Sequence, residues 1–103
     1  MVNWDRISEL REEVGEDDLA EVITLFCEEV EEVLEVLDSA ASTDLPGHLH
    51  FLKGSASNIG FEAVSIRCQT EETRLKENPS LTPDIAAIRS DYKLSKAELD
   101  GLF

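Results

Sequence analysis

Hydrophobic residues recur every three or four positions along almost the whole chain, which is the period of an amphipathic α-helix. No alternating run of apolar and polar residues of useful length competes with it, so the sequence predicts an all-α fold. The first helix is short: Asn3 serves as its N-cap, it continues to Val14, and Gly15 ends it. One side of this helix carries Trp4, Ile7 and Leu10.

The second predicted helix is longer and begins near Asp17. Its acidic doublets, Glu28-Glu29 and Glu31-Glu32, fall opposite the apolar stripe, and we interpret them as a solvated face rather than as a binding site. The apolar stripe consists of Leu19, Val22, Ile23, Phe26, Val30, Val33, Leu34 and Leu37.

A loop over residues 38–47 leads into the third predicted helix, which begins at Thr43 or Asp44. This helix is expected to stop near Asn58, because Gly60 can adopt the left-handed conformation that closes a helix. The spacing of four, three, four and three residues defines a narrow buried seam of Leu45, Leu49, Leu52, Ala56 and Ile59.

The fourth predicted helix, from Phe61 to about Lys76, is less cleanly amphipathic. Glu71 shares its apolar face, and Arg67 lies at the margin of that face, so a rotated helix that brings Arg67 to the third helix stays an alternative. The apolar residues of this face are Val64, Cys68 and Leu75.

The segment NPSLTP, residues 78–83, breaks the helical pattern, and Thr82 with Pro83 predicts an N-cap and first-turn proline for the last helix. Four long amphipathic segments joined by short loops predict an antiparallel four-helix bundle with a short additional N-terminal helix, in a single domain over residues 1–103. The stripe of the last helix is Ile85, Ile88, Tyr92, Leu99 and Leu102.

The chain is strongly acidic, with 23 acidic and 9 basic residues and a formal charge of −14. This charge repels phosphate backbones and anionic lipids, so nucleic acid and membrane partners are disfavoured. No signal peptide or membrane span is evident, which predicts a cytoplasmic location. Cys27 and Cys68 each fall within a helical apolar pattern and are expected to be buried, reduced thiols.

The only two histidines lie in HLHFLKGSASNIGF, residues 48–61. On a helical wheel His50 points about 140° away from the seam and faces solvent, whereas His48 lies only about 60° from it, where boundary packing is expected. Two histidines two residues apart on a helix point to different sides, so we predict no metal site.

Small residues surround His50 on this exposed face. A helical glycine costs about 1 kcal/mol relative to alanine, so Gly54 indicates that another protein surface must approach closely. Lys53 lies on the same side and can attract phosphoryl oxygens. An exposed imidazole beside a lysine therefore predicts phosphoryl-transfer chemistry between proteins, because histidine forms covalent intermediates and such transfer depends on positioning and charge.

The segment HFLKGSASNIGF, residues 50–61, resembles the signature H-x-L-K-G-[SA]-[SA]-x-x-[LIV]-G of histidine-containing phosphotransfer (HPt) domains, the intermediates of multistep two-component phosphorelays. Chain length and helix order agree with this family. The matching positions are His50, Leu52, Lys53, Gly54, Ser55, Ala56, Ile59 and Gly60.

The resemblance implies that His50 is the phosphoacceptor, that Lys53 steadies the phosphoryl group, and that Gly54 leaves room for a receiver domain. Ser57, on the side of His50, and Phe51 are candidates for receiver docking, although partial cover of Phe51 by the first helix is an equal alternative. In that function the chain would accept a phosphoryl group from a receiver-domain aspartate and pass it to another receiver.

Some family members place a glutamine of the following helix beside the imidazole. Gln69, Glu72 and Thr73 lie at this level here, and the position of that glutamine aligns with Glu72, so Gln69 and Glu72 are both candidates for orienting His50.

The resemblance further implies response-regulator receiver domains and a hybrid histidine kinase as partners, and a monomeric carrier without cofactor or ATP-dependent kinase activity. Magnesium would belong to the acidic pocket of the receiver. Two alternatives remain: a helical adaptor that binds receivers or kinases without being phosphorylated, and a hydrolase with His50 as general base. The hydrolase would need a nucleophile and an orienting acid in a concave pocket, which an exposed helix face does not offer.

Overall fold

The computed structural model describes residues 2–101, in which every regular element is a helix. Helices adjacent in sequence pack side by side, α2 also contacts α5, and α1 packs on α2. Because short connections make neighbouring helices antiparallel, the predicted four-helix bundle with a short N-terminal helix is confirmed. The helices are α1 (Trp4–Val14), α2 (Glu16–Leu37), α3 (Leu45–Asn58), α4 (Glu62–Glu77) and α5 (Ile85–Asp100).

The beginning of α1 follows the sequence prediction. The side chain of Asn3 accepts hydrogen bonds from the backbone N–H groups of Asp5 and Arg6, which satisfies two of the donors that a helix start leaves free. Gly15, with φ of 86°, separates α1 from α2.

The predicted start of α5 is wrong by two residues. Asp84, not Thr82, is the N-cap: its carboxylate accepts a hydrogen bond of 3.0 Å from the backbone N–H of Ala87. Pro83 lies before the helix rather than in its first turn, because the helix begins at Ile85. An aspartate directly after the proline supplies the cap.

The core is formed by the predicted apolar faces of the five helices, except that Trp4, predicted on the face of α1 with Ile7 and Leu10, is 41% exposed. The whole seam of α3 is buried, and so is the face of α4 that includes Glu71. Cys27 and Cys68 are buried free thiols as expected, and burial raises the pKa of Cys68 to about 12. Leu102, predicted to extend the stripe of α5, lies outside the described residues. Within residues 2–101 no helix combines the length and apolarity that crossing a membrane requires.

Helices α2 and α5 are joined by polar contacts at the side of the bundle. The hydroxyl of Tyr92 on α5 donates to the carboxylate of Glu31 on α2, and burial raises the pKa of this phenol. Arg89 of α5 reaches the end of α2, where it pairs with Asp38 at 2.9 Å. These contacts close the ring of four helices on the side away from α3.

The turn between α3 and α4 also seats α1. Gly60 has φ of 71°, and its carbonyl accepts a 2.6 Å hydrogen bond from the backbone N–H of Asn3. Arg6 of α1 donates its Nε hydrogen to the carbonyl of Asn58 at 2.9 Å. A Cβ at position 60 would lie 2.7 Å from the carbonyl oxygen of Asn3. Only glycine satisfies both the left-handed conformation and this close approach.

We predict that Gly60→Ala lowers the free energy of unfolding by about 2 kcal/mol. In the folded state, alanine is strained in the left-handed conformation, and its Cβ must displace the Asn3 carbonyl. Gly47→Ala is the matched control, because a Cβ at position 47 would meet no atom within 4 Å. This substitution should raise the free energy of unfolding by up to about 1 kcal/mol, since alanine favours the helix over glycine. Urea unfolding measures both, and equal effects of the two substitutions would contradict this account of the turn.

Candidate functional site

His50 projects from the outer face of α3 because the seam on the opposite face is buried in the bundle. Its side chain is 70% exposed. Gly54, one turn further, is also exposed, and a Cβ built there meets nothing within 4 Å. Packing within the described residues therefore gives no reason for a glycine at this position, in agreement with the sequence prediction.

Glu72 of α4 stands beside His50. Its Oε2 lies 3.5 Å from His50 Nδ1, and its Oε1 lies 3.5 Å from Lys53 Nζ. The Glu72 side chain is only 10% exposed, and its buried Oε1 has no hydrogen-bond partner. One largely buried carboxylate is thus shared between the imidazole and the ammonium group.

Lys53 is held at the edge of α4. Its ammonium donates a 2.8 Å hydrogen bond to Gln69 Oε1, while the amide nitrogen of Gln69 donates to Thr73 Oγ1 at 3.3 Å. The two residues considered for orienting the imidazole therefore separate in the structure: Glu72 lies next to His50, and Gln69 next to Lys53.

The remaining candidates for receiver docking lie on the same helix. Ser57 shares a hydroxyl–hydroxyl hydrogen bond of 2.7 Å with Ser65 of α4, and Phe51 is 49% exposed. His48 is half-buried, as expected for a boundary position.

The rotated alternative for α4 is not adopted. Arg67 turns to α5, where it donates a 2.9 Å hydrogen bond to Asp91 and so does not reach His50. Glu71 is buried but satisfied, since Arg74 donates to both of its carboxylate oxygens at 2.9 and 2.7 Å. The polar residues that disturb the pattern of α4 therefore have partners away from the candidate site.

The Ser57–Ser65 and Lys53–Gln69 hydrogen bonds were not predicted from the sequence. A signal for them exists, because each cross-helix pair is symmetric about Phe61, the residue at the turn. The pairs Ser57–Ser65, Lys53–Gln69 and His50–Glu72 stand at equal numbers of residues before and after it. Counting outward from the turn would have identified all three.

The arrangement leaves Nε2 of His50 as the ring nitrogen that can act chemically as a nucleophile. The Glu72 carboxylate next to Nδ1 favours the tautomer with the proton on that nitrogen. Nε2 receives no hydrogen bond from residues 2–101, so its lone pair is available on the exposed side of the ring. The ammonium of Lys53 supplies positive charge nearby for an incoming anionic group. No group of three or more His, Cys, Asp or Glu within the described residues is arranged to hold a metal ion.

Comparisons with known proteins agree with this chemistry. Residues 21–102 match the family model described as "Hpt domain". The chain is 33% identical over 94 residues to the phosphorelay protein LuxU of Vibrio vulnificus strain YJ016, an alignment that covers 85% of this chain and 82% of that relative. LuxU of strain CMCP6 gives the same values. No solved structure matches the chain at a significant level.

We predict that neutral His50 carries its proton on Nδ1, because Glu72 Oε2 lies beside that nitrogen. The measurement is the pair of imidazole ¹⁵N chemical shifts at a pH about two units above the ordinary imidazole pKa of roughly 6.5. His48 is the internal control, since no carboxylate of the described residues lies within 4.0 Å of it. A proton predominantly on Nε2 of His50 would contradict the prediction.

Proposed function

The chain belongs to the Hpt domain family, and we propose that it is a phosphorelay intermediate that carries the phosphoryl group on His50. The observation that carries this proposal is the exposed imidazole with a free Nε2, flanked by a lysine and by a glycine that internal packing does not require. The relatives from Vibrio vulnificus are phosphorelay proteins, which supports the same function.

In the proposed reaction, Nε2 of His50 attacks the phosphorus of an aspartyl phosphate on a receiver domain, and the aspartate carboxylate leaves. Lys53 draws the phosphoryl oxygens and offsets their charge as they arrive. The bare surface at Gly54, together with Ser57 and Phe51, would allow the receiver to bring its aspartate to the ring. The reverse reaction on a second receiver returns the chain to its starting state.

The residues at the site indicate which groups the carrier would supply to the reaction and which the partner would supply. The carrier contributes a nucleophile and one positive charge, which suffices because phosphoryl transfer depends mainly on positioning and charge neutralisation. Magnesium would be held by the receiver, and the carrier would need no cofactor and use no ATP. We propose receiver domains and a hybrid histidine kinase as partners of a monomeric, cytoplasmic carrier.

We predict that the wild-type chain gains the mass of one phosphoryl group on incubation with phosphoramidate or with a phosphorylated receiver, and that acid removes it, as expected of a phosphoramidate bond. His50→Gln should gain nothing and keep its stability, because the side chain is largely exposed. His48→Gln is the matched control and should behave as wild type. Intact-mass spectrometry decides the outcome.

Retained phosphorylation in His50→Gln would remove the assignment of His50. No phosphoryl group on the wild type from any donor, together with measurable receiver binding, would favour the adaptor that binds without being phosphorylated.

We predict that Gly54→Gln slows transfer from a receiver roughly 100-fold, because the added side chain displaces the reacting atoms by an ångström or more. The same change should raise the free energy of unfolding by up to about 1 kcal/mol, since it replaces a helical glycine in open space. Ala86→Gln, at an exposed position on α5, is the control and should leave the transfer rate unchanged. An undiminished rate in Gly54→Gln would contradict a role in partner approach.

A further inference from the structure

A groove runs along the seam between α2 and α5, the neighbouring helices of the bundle that pack least closely. It consists of two adjoining cavities of about 350 and 290 Å³, which share Glu31 and Lys96 in their walls. On α2 the groove extends from Ile23 to Glu35, which at 1.5 Å per residue is about 18 Å. His50 lies on the opposite seam, between α3 and α4, so the groove is separate from the candidate site.

The charges that line the groove are sorted by helix. The wall formed by α5 contributes every basic group, and the wall formed by α2 contributes the acidic groups, apart from Asp100 at one end. Three of the 9 basic residues thus line one groove of a chain whose formal charge is −14. The basic wall is Arg89, Lys93 and Lys96, and the acidic wall is Glu28, Glu31 and Glu35.

Two of these charges have no partner in the bundle. Arg89 is already held at the end of α2, and Lys96 lies 3.9 Å from Glu31 where the two cavities meet. Lys93 and Glu35 are exposed, and among residues 2–101 neither has a hydrogen bond or an ion pair. The groove therefore presents one free positive charge on its α5 wall and one free negative charge on its α2 wall.

The floor between the two walls is apolar. It is lined by Leu34 and by the ring of Tyr92, with Ile23 towards the other end. The hydroxyl of Tyr92 is turned to the carboxylate of Glu31 and leaves the ring for contact with an occupant. Aliphatic side chains laid along this floor would be removed from water, which is favourable.

The two walls and the floor together select one kind of occupant. A purely anionic ligand would be repelled by the wall of α2, and a purely cationic ligand by the wall of α5. An amphipathic helix with acidic residues on one flank and basic residues on the other satisfies both walls, and its apolar stripe covers the floor. A second copy of this chain is disfavoured, because both copies would carry −14.

We propose that the groove between α2 and α5 is a docking site for an amphipathic helix of a partner protein. The acidic flank of that helix lies towards Lys93 and its basic flank towards Glu35. This inference goes beyond the proposed function and does not depend on it. A protein docked in the groove leaves the face of His50 open, so the chain can bind a second protein there at the same time.

The test uses a synthetic helical peptide of about 16 residues, which is long enough to span the groove. The peptide has a leucine stripe, glutamates along one flank and an equal number of lysines along the other, so it is neutral overall. We expect it to shift the backbone amide signals of full-length ¹⁵N-labelled protein along α2 and α5 and to leave those of His50 and Gly54 unchanged. A peptide with the same stripe and glutamate on both flanks should bind roughly fivefold more weakly or worse.

Lys93→Glu and Glu35→Lys should each weaken binding of the neutral peptide roughly fivefold, because an attractive pair of exposed charges becomes repulsive. The double exchange should restore most of the affinity, since a helix that reverses its direction in the groove presents its flanks to the opposite walls. Lys76→Glu makes the same change at an exposed lysine of α4 outside the groove. This matched control should bind as wild type.

Three results would overturn the proposal. The first is no binding of the neutral peptide to wild type, or shifts centred away from α2 and α5. The second is unchanged affinity in both single variants, or a double exchange no better than either. The third is a wild type that dimerises in sedimentation velocity and loses its dimer in Lys93→Glu, which would assign the groove to a second copy. None of these readouts requires phosphorylation of His50, so failure of the proposed function would leave them decisive.

Discussion

The left-handed turn at Gly60 is the constraint on which the candidate site depends. It ends α3, reverses the chain into α4 and receives the backbone of α1 within 3 Å. Because the turn is short, the register of the two helices is set from it outward. Ser57–Ser65, Lys53–Gln69 and His50–Glu72 then meet in order along the seam between α3 and α4. His50 and Glu72 each lie eleven positions from Phe61, so they are placed reliably only when the turn is rigid, and the contact with α1 supports that rigidity.

The charges of the site differ from those of the rest of the molecule. The chain carries −14 overall, mostly as solvated carboxylates on the outer faces of the helices. At the site, a single lysine lies against a largely buried glutamate, so the pair is close to neutral before any phosphoryl group arrives. Lys53 is held by Gln69 and Glu72 rather than by a dedicated anion pocket. Under the proposed function, a phosphoryl group on His50 would compete with Glu72 and Gln69 of α4 for the lysine, which would limit how tightly the carrier retains it.

Much of the fold could be predicted because it follows local rules. The apolar spacing identified the buried seam of α3, and Asn3, Gly15 and Gly60 marked helix ends through capping and left-handed backbone. The predicted start of α5 was wrong because Thr82 and Asp84 are both favourable N-cap residues two positions apart, and their local sequence does not decide between them. The motif identified His50, Lys53 and Gly54 as candidate site residues, because all three lie within one turn or so of each other on α3. The assignment of Glu72 to His50 and of Gln69 to Lys53 could not be read from single helices, because it depends on the register between α3 and α4.

The exposure of the His50 side chain is linked to the reversible transfer that the proposed function requires. A deep pocket would stabilise a phosphoryl group and exclude a partner protein, whereas the exposed imidazole of His50 beside the bare surface of Gly54 is open to a second protein. The helix gives up about 1 kcal/mol of stability for that glycine, and burying Glu72 with no hydrogen bond to its Oε1 carries a further cost. Both costs fall on the same face of α3 and α4, while the remaining faces follow the ordinary rules of helix packing. Local losses of stability concentrated around one exposed histidine are what a carrier would require if it must bind, react and release without a cavity of its own.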